Sequence, residues 1–235
     1  MQPRFVARLG LADAVTATNA GLGFLAAAAA AVDPGLAARL ILLAAVADGL
    51  DGALAQHVGS TPVGEFLDSL ADVASFGVAP ALFVFGVART AWDLSLAAPS
   101  LRLVLALSVT GLFVVTAVVR LGLYTAYDIG RGATEGAQTT LAATVLAVAY
   151  LAGVRSPAVL LGVTLVFVVL MVVPVRYPDL RVRDALVMGG IQALSIIVPT
   201  AFGRLFPRTL LAAALAYLVL APRLYRRGTP EGKRT

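Results

Sequence analysis

The sequence predicts an all-α integral membrane protein, a bundle of about eight transmembrane helices preceded by a short interfacial segment. Three observations predict it. Of 235 residues, 60% are hydrophobic and only 13% are charged, and the mean hydropathy is +0.91, far from the balance of a soluble domain. Runs such as "SLRLVLALSVTGLFVVTAVV" and "PAVLLGVTLVFVVLMVVPV" approach or reach the roughly 20 residues that a helix needs to cross a bilayer. The runs are continuous, whereas a transmembrane barrel alternates apolar and polar positions.

The elements follow in order from Pro, Gly and charged punctuation. Residues 1–14 read as an interfacial lead-in, with Phe5, Val6 and Leu9 on one side and Arg4 and Arg8 one turn apart, able to reach headgroups. No long apolar region leads to a small-residue cleavage site, so a removable signal peptide is not expected. Helices are expected near 15–32, 36–57, 62–88, 98–124, 135–153, 157–175, 185–203 and 207–225. "DPG" at 33–35 makes a tight connection, and Thr61 is placed to cap a helix whose first residue is Pro62. The whole chain, 1–235, reads as one membrane domain, with 226–235 as a solvated tail that attracts anionic lipid.

The net charge is +5, but the basic residues are scattered between apolar runs rather than gathered on one soluble face, which argues against nucleic acid. They are denser on the side shared by Arg4, Arg8, Arg120, Arg131, Arg176, Arg181, Arg183 and the tail than on the side of Arg39, Arg89, Arg102, Arg155, Arg204 and Arg208. The positive-inside rule then places both termini and the turn between the second and third helices in the cytoplasm of a multi-pass cell-membrane protein. Cysteine is absent, which excludes disulfides, thiolate metal sites and Cys nucleophiles together.

Acids are concentrated in one stretch, "DGLDGALAQHVGSTPVGEFLDSLAD" at 48–72. Asp48 and Asp51, three apart, share a face near the end of the second helix. Asp68 and Asp72, four apart, share a face of the third. A short turn joins the two helices, so the four carboxylates converge at the membrane boundary and need a counter-charge. Mg²⁺ or Mn²⁺ meets that need, taking oxygen ligands and keeping positions open for a substrate phosphate. Two such ions can clamp the oxygens of a phosphoryl displacement. Gly49, Gly52 and Gly64 remove side chains where a phosphorylated ligand must approach the backbone.

Asp48, Asp51, Gly52, Ala55, Gly64, Asp68 and Asp72 together resemble the signature D-x-x-D-G-x-x-A-R…G-x-x-x-D-x-x-x-D of the CDP-alcohol phosphotransferases. Gln56 stands where that family usually has Arg, and the spacer to Gly64 is about one residue shorter than usual. The resemblance covers roughly residues 8 to 180. It implies a six-helix core at 15–180 with two further helices as an extension at 181–225, and transfer of a phosphatidyl-type group from a CDP-linked lipid to an alcohol, with CMP leaving. Carried over, Asp48, Asp51, Asp68 and Asp72 hold two divalent cations and Asp72 is the base. Asn19, in "TATNAG", resembles a family position that helps bind the nucleotide, and helix–helix glue is its other reading. A homodimer is the family's habit.

"LDSLADVASFGVAPAL" at 67–82 is similar to the phosphatidylserine synthase branch, and the chain resembles its archaeal members, the archaetidylserine synthases. That implies CDP-archaeol or CDP-diacylglycerol as donor and L-serine as acceptor. Serine needs a cation for its carboxylate and an acceptor or aromatic face for its ammonium. Arg120 is the candidate for the carboxylate or a phosphate oxygen, or else a boundary arginine snorkelling to headgroups. Ser75, Phe76 and Tyr124 are candidate pocket residues, or packing and interfacial ones. Glu65 reads as a solvated first-turn acid, and His57 is a lone histidine with little claim as a ligand. Arg131, Arg176 and Arg183 attract lipid phosphate or simply obey the positive-inside rule.

Other acceptors are glycerol phosphate, inositol phosphate or an amino alcohol; "SFGVAPA" argues against them only through resemblance, and a phosphorylated acceptor would need more basic residues near the site than Arg120 supplies. A cation transporter or channel is the alternative from another class. It predicts acids spread across the bilayer depth, whereas these gather at one level.

Overall fold

The computed structural model describes residues 9–58, 61–128, 133–178 and 182–225. Among the described residues nine α-helices dominate: α1 (Leu11–Ala30), α2 (Pro34–Val58), α3 (Gly64–Asp72), α4 (Ala79–Trp92), α5 (Leu101–Leu123), α6 (Thr139–Ala152), α7 (Pro157–Leu170), α8 (Val182–Ile197) and α9 (Ala201–Tyr225). Among them, the stretches Leu11–Ala30, Gly64–Trp92, Leu101–Tyr127 and Ala201–Pro222 are long and apolar enough to cross a membrane. The protein is therefore all-α in its framework and membrane-associated. The expected lead-in residues 1–8, the tail 226–235 and Arg131 and Arg181 lie outside the described residues, as do the side chains of Ala55, Gln56, His57 and Arg183.

Local chemistry sets most helix ends. Asp33 Oδ1 accepts from the Gly35 and Leu36 N–H groups at 2.8 and 3.0 Å, capping α2 with Pro34 at its first position. Ser100 caps α5 through the Leu103 N–H, and Gly153, at φ 113°, ends α6. Helix α1 starts at Leu11, four residues ahead of the expected 15, because Asp13 accepts from the Gly10 N–H at 2.7 Å and caps it. Thr61 does not cap the next helix, which begins at Gly64 with Val63 before it; its hydroxyl donates instead to Asp13 on α1.

α3 and α4 form one rod, joined by a π-helical stretch, Val73–Val78. Here the Ala79 N–H reaches back five residues to the Ala74 carbonyl. Pro80 supplies the reason: it has no N–H for the carbonyl four residues back, and its ring crowds that carbonyl, so the helix widens. The extra residue shifts the helix face, so that Asp68 and Asp72 are presented toward Asp48 of α2 while Phe76, Ala79 and Phe83 enter the apolar core.

α6 forms the centre, buried from Ala142 through Leu151 and contacted by α2, α4, α5, α7 and α9. α1 packs along α2, and α8 bridges α2 and α9, with the Gln192 amide donating to the Leu42 carbonyl of α2 at 2.8 Å. In the first turn of α9, Phe202, Gly203 and Arg204 all have positive φ and so are not helical. The break therefore falls at 198–204, earlier than the expected 203–207. Two short strands not expected from the sequence, β1 (Ala133–Glu135) and β2 (Arg176–Pro178), pair antiparallel. They turn Thr134 and Tyr177 inward while Glu135 and Arg176 form an exposed ion pair at 3.1 Å.

Candidate active site

The acids of α2 and α3 meet as the sequence expects, though not as a single knot of four. One oxygen from each of Asp48, Asp68 and Asp72 lies within 4.8 Å of the others. Asp72 is buried, and its Oδ1 has no hydrogen-bond partner. A buried carboxylate oxygen without a donor is costly. Here it lies against two further carboxylates, an arrangement that a divalent cation neutralises and that hard oxygen donors suit. The residues present therefore fit an ion of the Mg²⁺ or Mn²⁺ kind.

Asp51 stands apart. Its Oδ2 accepts from the Thr16 hydroxyl of α1 at 2.7 Å, in a buried contact. Both residues line a cavity of about 250 Å³ together with Asp48, Gly52, Gly64, Glu65 and Asp68. Asp48 and Asp68 are thus common to two groupings, one with Asp51 at the cavity wall and one with Asp72. At Gly52 a Cβ would meet nothing within 4 Å, so any larger side chain there would project into open space beside the acids.

α1 supplies a wall of which the sequence reading named only Asn19, missing Asp13 and Thr16. Asp13, Thr16, Asn19 and Gly23 recur every three or four residues on its buried face. Asp13 ties α1 to the α2–α3 turn through Thr61, and Thr16 holds Asp51. The signal was present in "DAVTATN", three polar residues at helical spacing in an apolar helix. Thr140, at the start of α6, also reaches the Asp48 carboxylate, and only the tertiary fold reveals that contact.

Asn19 is fully buried, with both side-chain polar atoms unpartnered; its backbone carbonyl accepts from Ser75 Oγ at 2.8 Å. Ser75 is therefore engaged in the contact between α1 and the π-helical stretch, and Phe76 lies in the apolar core. Arg120 is buried on α5, donates to Thr134 of β1 at 3.1 Å, and lies 5.6 Å from the centre of the Tyr124 ring. Its charge acts on Asp72, so it supplies a counter-charge at the acid cluster. Ser69 of α3 and Thr125 share a hydrogen bond beside it. Glu65 is exposed at the cavity rim.

This geometry coincides with a family match. Residues 9–174 match the model of the CDP-alcohol phosphatidyltransferases, a span that contains every acid of the cluster. The chain belongs to that family. It is 49% identical over 53 residues to a CDP-diacylglycerol–serine O-phosphatidyltransferase of Mycobacterium leprae, a stretch covering 22% of this chain and 18% of that protein. It is 39% identical over 85 residues to an archaetidylserine synthase of Methanothermobacter thermautotrophicus, covering 34% of this chain and 36% of the relative. The aligned stretches thus span about a fifth and a third of those relatives' lengths.

Proposed function

We propose that the protein transfers the phosphatidyl-type group of CDP-archaeol or CDP-diacylglycerol to the hydroxyl of L-serine, giving archaetidylserine or phosphatidylserine and CMP. The observation that carries the chemistry is the cluster of Asp48, Asp68 and Asp72 with its unpartnered buried Asp72 oxygen. The serine acceptor draws support from the names of the two relatives, both serine-type synthases, and from a buried arginine acting on the same acid.

In the proposed step, the serine Oγ attacks the phosphorus that bears the lipid. The bond from that phosphorus to the bridging oxygen breaks, and CMP departs with the oxygen. Asp72 takes the proton of the attacking hydroxyl, and its burial beside Arg120 keeps it aimed at the nucleophile. Asp48, Asp51, Asp68 and Asp72 would hold two divalent ions, Mg²⁺ or Mn²⁺, which when bound offset the charge of the pyrophosphate and acidify the hydroxyl. Arg120 binds the serine carboxylate, with Thr134 fixing one guanidinium nitrogen and Tyr124 flanking the group. Gly52, Ala55 and Gly64 leave room for the pyrophosphate, Asn19 serves the nucleotide side, and Ser75 and Phe76 shape the floor beyond Asp72.

In the same reading the chain forms an eight-span bundle, a core at 15–180 with an extension at 181–225. It works as a homodimer in the cell membrane, with the acids and both termini cytoplasmic. The test is CMP release by the purified, Mn²⁺-supplied chain, offered CDP-archaeol and CDP-diacylglycerol separately, with L-serine, glycerol 3-phosphate, inositol phosphate or an amino alcohol. Serine-dependent release is expected. Release with another acceptor and none with serine would overturn the acceptor assignment and leave the family chemistry standing.

A further inference from the structure

Among the threonines of this bundle, Thr16 is placed differently from its neighbours. Thr18, Thr110, Thr116 and Thr164 each donate to the carbonyl one turn back on their own helix, at 2.7 to 3.0 Å. That back-bond is the ordinary fate of a hydroxyl in an apolar helix. Thr16 has the same option, the Ala12 carbonyl at 3.1 Å, and in addition the Asp51 Oδ2 at 2.7 Å. A hydroxyl carries one proton. The shorter bond, to a carboxylate, is the charge-assisted one and takes it.

The contact joins residues 35 positions apart on two helices, is buried, and lies on the wall of the acidic cavity. Asp51 is the one signature aspartate outside the close grouping of Asp48, Asp68 and Asp72. Its orientation is set by α1 rather than by the other acids. We propose that Thr16 is a positioning residue for the ion site. By holding Asp51 Oδ2, it directs the other oxygen toward the cavity shared with Asp48 and Asp68 and makes α1 part of the ion-binding apparatus. The inference rests on the metal-dependent reading above, and on that part of it alone.

The test measures Mn²⁺ binding to the purified full chain in detergent, without substrate, by the loss of the free-ion electron paramagnetic resonance signal. Thr16→Val keeps the volume and removes the donor, and is expected to weaken Mn²⁺ binding by about 10- to 100-fold, as loss of an outer-shell partner does. Thr16→Ser should bind nearly as the parent does, and Thr116→Val, which removes an ordinary back-bond, should change nothing. Added to Asp51→Ala, the Thr16→Val change should bring no further loss. Thr16→Cys, a poor donor of similar size, gives a second reading if the valine variant does not fold. Parent-like binding in Thr16→Val or Thr16→Cys would overturn the proposal while leaving the ion site intact, as would a full additional loss on top of Asp51→Ala. A parent chain that binds no Mn²⁺ would overturn both the proposal and the metal-dependent reading.

Discussion

At the scale of the residue, chemistry is concentrated in a few side chains whose surroundings decide their roles. Asp72 is buried, has an oxygen within 4.8 Å of those of two other acids and retains an oxygen without a donor, which suits the proposed role of a group that takes a proton only when a hydroxyl arrives. Asp72→Asn is expected to lower transfer by about 10²- to 10⁴-fold, the range of a lost general base. Binding of the CDP-lipid should persist, measured by equilibrium binding of a labelled donor. Near-parental turnover would remove Asp72 from the base role. The convergence of the acids was legible in the chain, because it is a matter of spacing: three and four residues apart on helices place Asp48 and Asp51, and Asp68 and Asp72, each on one face. What spacing does not encode is which helix completes each acid. Thr16 and Thr140 lie 35 residues before Asp51 and far after Asp48 in the chain, and only packing brings them there.

At the scale of the element, the junction between α1 and the π-helical stretch Val73–Val78 decides how the acids are presented. Gly23 sits so close to Ser75 that a Cβ would fall 2.6 to 2.8 Å from its Oγ, Cα and N atoms, so backbone packs on backbone. Gly23→Ala is expected to destabilise the protein by about 1–3 kcal/mol, the usual penalty of overpacking, and to reduce transfer by pushing α1 from Asp51. Gly21→Ala, where a Cβ meets nothing within 4 Å, should be neutral or slightly stabilising by its better helix propensity. Thermal melting in detergent separates the two, and equal melting of both variants would refute the account. The helices themselves were readable from hydropathy and punctuation, with boundaries displaced where a side chain found a distant partner. Thr61 left its capping position for Asp13, and Asp13 drew the start of α1 forward to Leu11. The π-helical turn was not foreseen, although Pro80 carries its cause, and the β1–β2 ribbon has strands too short to show a period.

At the scale of the whole molecule, the acids couple the helices to one another: α1 through Asp13 and Thr16, α2, α3, and α6 through Thr140. An ion bound among them ties these elements together. Adding Mn²⁺ at about a hundredfold excess over its Kd should therefore stabilise the folded chain by about 2.7 kcal/mol, seen as a higher melting temperature that a chelator reverses. No shift at saturating Mn²⁺ would sever stability from the cluster. The central helix has a further consequence. α6 has 14 residues, about 21 Å at 1.5 Å per residue, less than the roughly 30 Å of a bilayer's hydrocarbon core, yet it is enclosed by other helices rather than by lipid. One of its walls is α9, which follows it in the chain. The order of synthesis thus makes this wall after the helix that it covers, and the side of α6 facing α9 stays open until α9 has been made.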